Sequence, residues 1–400
     1  MSGLRGIAGH ACPAELPPFR TGGDSYRRIL RAWILAASVV LACGTVLFGL
    51  CALMVVGVAV GTAIAAEVAL GVIFGRPVIG GLSHAALTGL LLGLMLPAMV
   101  PWFVPLFGAL VAIVLAKGLF GGLGQYLWQP AVVGRVVVQF LFEGHLALSG
   151  GMATTPVLAP GRLLIGDLER ARPINMATYR GWWAGDQRAD ADAWLMERPV
   201  QALRRFAEGG LPADRSLMFG EPLQFEPLLR DALPPWEDTI LGTVPGGIGE
   251  TCTIGLIVAG LFLIYRGYLR WQLPTAILAS AAIAAAVLPV QTADDIGGYR
   301  WLPILAVEQD RAVGVAYVLH HLTAGQLMLG AFLLSGDMIV TPLRARGQVL
   351  FGAGIGLITI FMRLYGHLEG ECYWAILMMN WLVPAIDRRT PRPVLGMEAE

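Results

Sequence analysis

Three stretches of this 400-residue chain carry residues whose types and spacing could do chemistry. Ser149-Gly-Gly-Met-Ala-Thr-Thr-Pro156 sets two adjacent hydroxyls, Thr154 and Thr155, among small residues that let a bulky group approach the backbone. Taken by itself, the same string is an ordinary turn. Phe120-Gly-Gly-Leu-Gly-Gln, continuing to Pro130, and Gly242-Thr-Val-Pro-Gly-Gly-Ile-Gly-Glu-Thr251 are glycine-rich, and each ends where a helix begins. Backbone N–H groups at such a start could hold a phosphate or an anionic ring edge. Close helix packing through small residues explains them equally well.

The ionisable residues in or beside apolar runs are Glu67, Arg135, Glu250, His320, His321, Asp337 and Arg363. Such groups are costly in lipid and face a partner or a pathway. Glu250 opens a helix, so a role at the positive helix end competes with a functional one. Asp337 and Arg363 lie near span ends, within reach of water. His320 and His321 are adjacent and diverge, which favours a ring packed in the bundle over a metal ligand. The five cysteines form no C-x-x-C pair and read as small hydrophobes. No phosphate-binding G-x-x-x-x-G-K-[ST] loop occurs, and no dinucleotide fingerprint follows a strand, since no strands are expected. Hydrolysis has no support.

The elements that position these residues are helices. The chain is 56% hydrophobic and only 14% charged, against roughly 25% charged in a soluble domain. Its apolar runs of about 20 residues recur, each long enough to cross a bilayer. This predicts an all-α polytopic membrane protein of about ten transmembrane helices. A net charge of zero argues against nucleic acid as a partner and leaves the lipid bilayer. Two helices fill 34–75, turning near Gly49; others are expected at about 83–96, 102–119 and 131–142. Five more follow at about 252–268, 273–290, 313–335, 349–365 and 372–386. Residues 157–240 differ, with ten arginines and four tryptophans, and read as a structured insert. Within it, Pro199 opens a short amphipathic helix with Val200, Leu203 and Phe206 on one face.

The domain plan is therefore a tail at 1–28, membrane helices at 29–145, and an extracytoplasmic loop at 146–243. Membrane helices at 244–387 and a tail at 388–400 complete it. Ten spans put both termini on one side. With the termini in the cytoplasm of a bacterial inner membrane, Arg27, Arg28, Arg76, Lys117, Arg266, Arg270, Arg344 and Arg388 fall at inner ends. That is the positive-inside asymmetry. His84-Ala-Ala-Leu-Thr-Gly echoes His321-Leu-Thr-Ala-Gly, as a five-plus-five inverted repeat or a chance match would produce.

Four ordered blocks carry a resemblance. They are Ala86 to Pro97; Lys117-Gly-Leu-Phe-Gly-Gly-Leu-Gly-Gln with Gln129-Pro-Ala-Val-Val-Gly-Arg135; Val244-Pro-Gly-Gly-Ile-Gly-Glu-Thr251; and Leu327 to Phe332 with Gly347 to Gly356 and Met379 to Asp387. Together, over about 26–389 without the insert, they resemble the NqrB/RnfD family. Its members are the membrane flavoprotein subunits of sodium-translocating NADH:quinone reductase and of the Rnf ferredoxin:NAD complex. The resemblance implies a ten-helix inverted repeat holding FMN on a threonine, with riboflavin a further possible flavin. It also implies partner subunits of a redox complex that moves Na⁺ or H⁺. The family's attachment motif, Asp-x-x-Ser/Thr-Gly-Ala-Thr, maps its acceptor onto Thr155, with Thr154 at the alanine position. Here Met152 stands at the Ser/Thr and Ser149 at the acid.

The expected function is thus a flavin-carrying electron relay in an ion-translocating complex. Thr155 and Thr154 would lie at the phosphate, Gly246, Gly247 and Gly249 would permit close approach, and Arg135 and Glu250 would set charge. Two other readings remain: a flavin-less docking subunit, and a transporter or channel on the same scaffold.

Overall fold

A computed structural model describes residues 26–75, 81–122, 124–150, 152–154, 172–174, 193–195, 198–208, 233–234, 236–291, 299–303 and 311–390. Thr155 and most of the insert lie outside them. The chain is helical, as its composition requires. Helix α1 (Tyr26–Phe48) and α2 (Leu50–Phe74) fill the first apolar run, and the turn falls at Gly49, whose φ of 71° suits glycine. Next come α3 (Gly81–Leu94), α4 (Phe103–Leu110) and α5 (Pro130–Leu141). Helix α4 runs on into wider π-helical turns over Val111–Gly118. A further helix, α6 (Glu143–Gly150), follows α5 where the sequence predicts loop.

The insert contributes α7 (Pro199–Ala207), the amphipathic helix anticipated, with Leu203 and Phe206 buried. After it come α8 (Trp236–Leu241), α9 (Thr253–Tyr265), α10 (Gln272–Val287) and α11 (Arg311–Thr323). Then α12 (Leu327–Leu329) passes into π-helical turns at Gly330–Leu334, ahead of α13 (Ala345–Tyr365) and α14 (Glu371–Arg389). The expectation of no strands needs correcting. Three-residue strands β1 (Met152–Thr154), β2 (Arg172–Ile174) and β3 (Ala193–Leu195) form an antiparallel sheet in the order β1-β3-β2. Two-residue strands β4 (Val290–Gln291) and β5 (Tyr299–Arg300) pair separately. Strands this short give no periodic signal in a sequence.

The single helix expected at 313–335 is also corrected. It is two helical pieces bent by 60°, with the break at 324–326. Gly325 takes a φ of 72° there, which a β-carbon would oppose. Three helices, α1, α2 and α13, are long and apolar enough to cross a membrane, and the bent pair makes a fourth. The outward face of α2 carries Leu50, Met54, Val72 and Ile73, all well exposed. Apolar faces of this kind are at ease in lipid and not in water.

Small residues set the helix seams. Helix α2 lies against α3, and α10 against α13. A β-carbon at Gly89 would come 2.7 Å from the Ala59 carbonyl oxygen, and Gly352 faces the Leu273 carbonyl as closely, at 2.9 Å. Without a water-driven hydrophobic effect between lipid-facing helices, such close backbone approach supplies the packing. We expect Gly89→Val to separate α2 from α3. A monodisperse, equally heat-resistant variant in detergent would refute that.

Candidate functional site

Helix α3 has 14 residues, about 21 Å of rise, too short for a hydrocarbon core of about 30 Å. Buried non-helical backbone continues it through Met95, Leu96 and Ala98. That backbone is satisfied by the second glycine-rich stretch. Gly249 N–H donates to the Leu94 carbonyl at 2.8 Å, and Ile248 N–H to Leu96 at 2.9 Å. A strand-like bridge joins Pro97 to Gly247. Two helix breaks therefore cross and pair inside the bundle, the arrangement under which irregular backbone survives at membrane depth.

Glu250 sits at this crossing, 6% exposed. It accepts the Gly247 N–H at 3.2 Å through Oε2 and the Tyr373 hydroxyl through Oε1. Arg135, from α5, places its guanidinium carbon 5.5 Å from the Tyr373 ring centroid. Its Nε donates to the Met95 carbonyl at 3.0 Å and its Nη1 to Gln139 Oε1 at 2.7 Å. Acid, phenol and guanidinium thus form one buried cluster against the crossing.

Above the crossing, α7 is fastened to the turn between α13 and α14. Arg198 Nη2 meets Glu369 Oε1 at 2.5 Å, and Arg204 Nη2 meets Glu371 Oε1 at 2.6 Å. Gln201 adds a 3.0 Å bond to the same Glu369 oxygen. Burial alone would raise the Glu369 carboxyl, but the Arg198 charge and the bonds from Arg198 and Gln201 outweigh it and hold the group below the usual range. Between α7 and the crossing lies a cavity that, counted with the solvent-open space at its mouth, encloses about 530 Å³. Arg198, Arg204, Gly246, Glu250, Thr251 and Gln326 are in its wall. Four buried atoms there have no partner among the described residues: Thr251 Oγ1, Gln326 Oε1, Arg198 Nε and Arg204 Nε. Unpaired buried polar atoms are rare, so a wall holding four of them fits an occupant with both donors and acceptors. A flavin has both, and its ring edge and phosphate suit arginine donors.

A second cavity, of about 400 Å³, opens at the other end of α13. His84, Gln129, Asp337 and Tyr26 line it. Asn380 of α14, its amide set by its neighbours, accepts the Gln129 N–H at 3.2 Å. So α5 and α14 run between the two cavities, from Gln129 and Asn380 to Arg135 and Tyr373.

Of the residues singled out in the sequence, Gly246, Gly247, Gly249, Glu250 and Arg135 come together. Gly246 and Glu250 face the first cavity, whereas the N–H groups of Gly247 and Gly249 are spent on Glu250 and Leu94. Thr154 ends β1, its backbone paired with Ala193, five residues before Arg198. Thr155 is outside the described residues. Of the two readings of Arg363, a partner inside the bundle holds and reach to water does not. Arg363 is fully buried, and its guanidinium caps the broken helix by donating to the carbonyls of His321 at 2.6 Å and Ala324 at 3.3 Å. His321 is fully buried with its ring edge-on to Tyr317, as a packed ring should be. Among the described residues no cluster of three metal-binding side chains occurs.

Arg198, Arg204, Glu369, Glu371 and Tyr373 escaped the sequence reading. Nothing local in the sequence paired Arg198 with Glu369 or Arg204 with Glu371, which lie 171 and 167 positions apart. A profile describing the NQR2, RnfD, RnfE family matches residues 14–396. The D-type component of the Na⁺-translocating ferredoxin:NAD⁺ oxidoreductase complex of Acetobacterium woodii is 28% identical over 369 residues, 92% of this chain and 90% of that one. Its counterpart in the proton-translocating ferredoxin:NAD⁺ oxidoreductase complex of Clostridium ljungdahlii is 29% identical over 368 residues, covering 92% and 91%. The D-type component of the ion-translocating oxidoreductase complex of Yersinia pseudotuberculosis is 30% identical over 383 residues, covering 95% and 97%.

Proposed function

Because the chain belongs to the NQR2, RnfD, RnfE family, we propose that it is the flavin-carrying electron-relay subunit of an ion-translocating membrane redox complex. Its relatives are named as subunits of such complexes, one moving Na⁺ and another protons, so either ion is open to this chain. The observation that carries the flavin is the first cavity, with its four unpartnered polar atoms beside a glycine-rich crossing. When bound, flavin supplies electron transfer in one- or two-electron steps. The chain's own residues bind and orient. Arg198 and Arg204 offer Nε donors, Thr251 and Gln326 offer oxygens, and Gly246 leaves room for approach. Glu250, Tyr373 and Arg135 set the local charge.

The finer architecture belongs to the same proposal. The three long helices, the bent pair, five shorter apolar helices and α14 together make ten crossings. Among the short ones, α3 lengthens its path through paired irregular backbone and α4 through its π-helical turns. An even number puts both termini on one side, and the arginine distribution puts that side in the cytoplasm. The first cavity then faces outward with the insert, where Thr155 could anchor the FMN phosphate. Riboflavin is the alternative occupant. The second reading, a docking role without flavin, is favoured by Ser149 and Met152 standing in the attachment motif.

Ultraviolet illumination of a denaturing gel separates these readings. We expect a fluorescent band that survives Thr154→Ala and vanishes in Thr155→Ala. Flavin released only on denaturing the native protein would replace the covalent bond with non-covalent binding. Neither signal, in protein isolated with its partner subunits, would leave the docking role.

A further inference from the structure

We propose that His84, Tyr126 and Asp337 form a proton-transfer relay in the wall of the second cavity. The three come from separate parts of the chain: α3, the glycine-rich loop before α5, and the loop leading to α13. The Tyr126 hydroxyl lies 2.9 Å from His84 Nε2 and 3.0 and 3.2 Å from the two Asp337 oxygens. His84 and Tyr126 are buried, at 6% and 3% exposed, while His84 and Asp337 both line the cavity.

The hydrogen count gives the chain a direction. A phenol has one proton, and the Asp337 carboxylate takes it. The 2.9 Å contact to His84 is then a hydrogen bond only if Nε2 carries a proton and donates to the phenol oxygen. At the far side of the ring, Thr88 Oγ1 lies 3.4 Å from Nδ1 while donating to the His84 carbonyl at 2.9 Å. A proton reaching Nδ1 makes the ring an imidazolium. The Nε2 proton then passes to the Tyr126 oxygen as the Tyr126 proton passes to Asp337. The ring ends neutral with its proton on Nδ1, the phenol is unchanged, and Asp337 is a carboxylic acid facing the cavity. No electron moves, and each step reverses.

Packing alone does not require this triad, since phenylalanine would fill the space of Tyr126 without burying a hydroxyl. Buried ionisable groups in apolar bundles are expensive unless used. The other titratable groups acting here are Tyr26 of α1, in the same cavity wall, and Lys117, whose ammonium is engaged by Glu67 at 2.7 Å. Asp337 also accepts the Ile339 N–H at 3.0 Å, which fixes its carboxylate toward the phenol.

Coupled titration tests the relay in the purified full-length chain in lipid, by infrared difference spectra across pH. Loss of a carboxylic-acid band in Asp337→Asn identifies that group. We expect the Asp337 and His84 bands of the unaltered chain to change together, and Tyr126→Phe to move the Asp337 midpoint by about one pH unit or more. An unmoved midpoint in a folded Tyr126→Phe chain overturns the relay. Should that variant not fold, His84→Gln decides: it keeps a donor toward Tyr126 but takes up no proton, so an unmoved midpoint again overturns the relay. In the assembled complex, Tyr126→Phe should lower ion-coupled turnover about tenfold and abolish its solvent isotope effect at constant flavin content. Unchanged turnover and isotope effect count against the relay. This last measurement rests on the function proposed above, and absence of flavin or ion movement in the unaltered complex would defeat that function while the titration still decides the relay.

Discussion

Lys117→Met is expected to leave the chain unable to accumulate as a folded protein, while the double variant Glu67→Gln with Lys117→Met recovers. Lys117 is the only lysine in the sequence, and it is 2% exposed. Its ammonium meets Glu67 Oε1 at 2.7 Å, joining the π-helical end of α4 to α2. The pair itself adds little net stability, because removing two charges from water costs nearly what their attraction returns. Breaking it is another matter. Removing the lysine strands a carboxylate in an apolar seam, and such losses run to about 3–5 kcal/mol. Methionine is close to lysine in volume, so packing is largely kept and the effect reports charge. Yield of monodisperse protein and melting temperature in detergent are the measurements. The double variant should regain most of the loss, since it replaces a buried ion pair by uncharged groups of similar size. A single variant as stable as the unaltered chain would show that Glu67 finds water or another partner.

Glu250→Gln is expected to assemble with its partners and to lose about tenfold or more in electron transfer, roughly 1.4 kcal/mol in the limiting barrier. Glutamine keeps the shape of the side chain and an oxygen for the Gly247 N–H, so the crossing of the two breaks stands. Its backbone pairing, through Ile248 and Gly249, does not involve the carboxylate at all. What changes is the charge between Tyr373 and the first cavity, with Arg135 left without its compensating acid. Flavin content, electron transfer and ion movement should be measured on the same preparation. If electron transfer and ion movement are unchanged, Glu250 serves only to close the helix start, the role its position in the sequence also allowed. If the variant fails to assemble, the carboxylate is part of the crossing's stability.

Much of the fold was legible in the sequence because lipid imposes a simple rule. A span must satisfy its own backbone and show apolar side chains outward, so length and composition alone marked the helices. The Gly49 turn, the start of α5 at Pro130 and the amphipathic α7 were read from the same local rules. The glycine-rich stretch ending in Glu250 was recognisable as special, since glycine there costs helix propensity without evident return. Composition also argued against nucleic acid as a partner and for a lipid surrounding.

The site, by contrast, depends on contacts between residues far apart in the chain. Glu250 and Tyr373 are 123 positions apart, Arg198 and Glu369 171, and Tyr126 and Asp337 211. No local pattern encodes such pairs, because each depends on how two rigid helices cross. Arg363 makes the point most clearly. Its place near a helix end suggested water, yet the bend at Gly325 turns two free carbonyls toward it and buries it completely. The sequence by itself determined that this chain is a helical membrane protein with a charged insert and two glycine-rich breaks. Only the tertiary structure decided that the break ending in Glu250 pairs with the backbone after α3, that the insert's arginines close a cavity over Glu250, and that a histidine, a tyrosine and an aspartate meet at the second cavity. The physical reason is that apolar character is a property of each residue, whereas a partner for a buried charge is a property of the packed bundle.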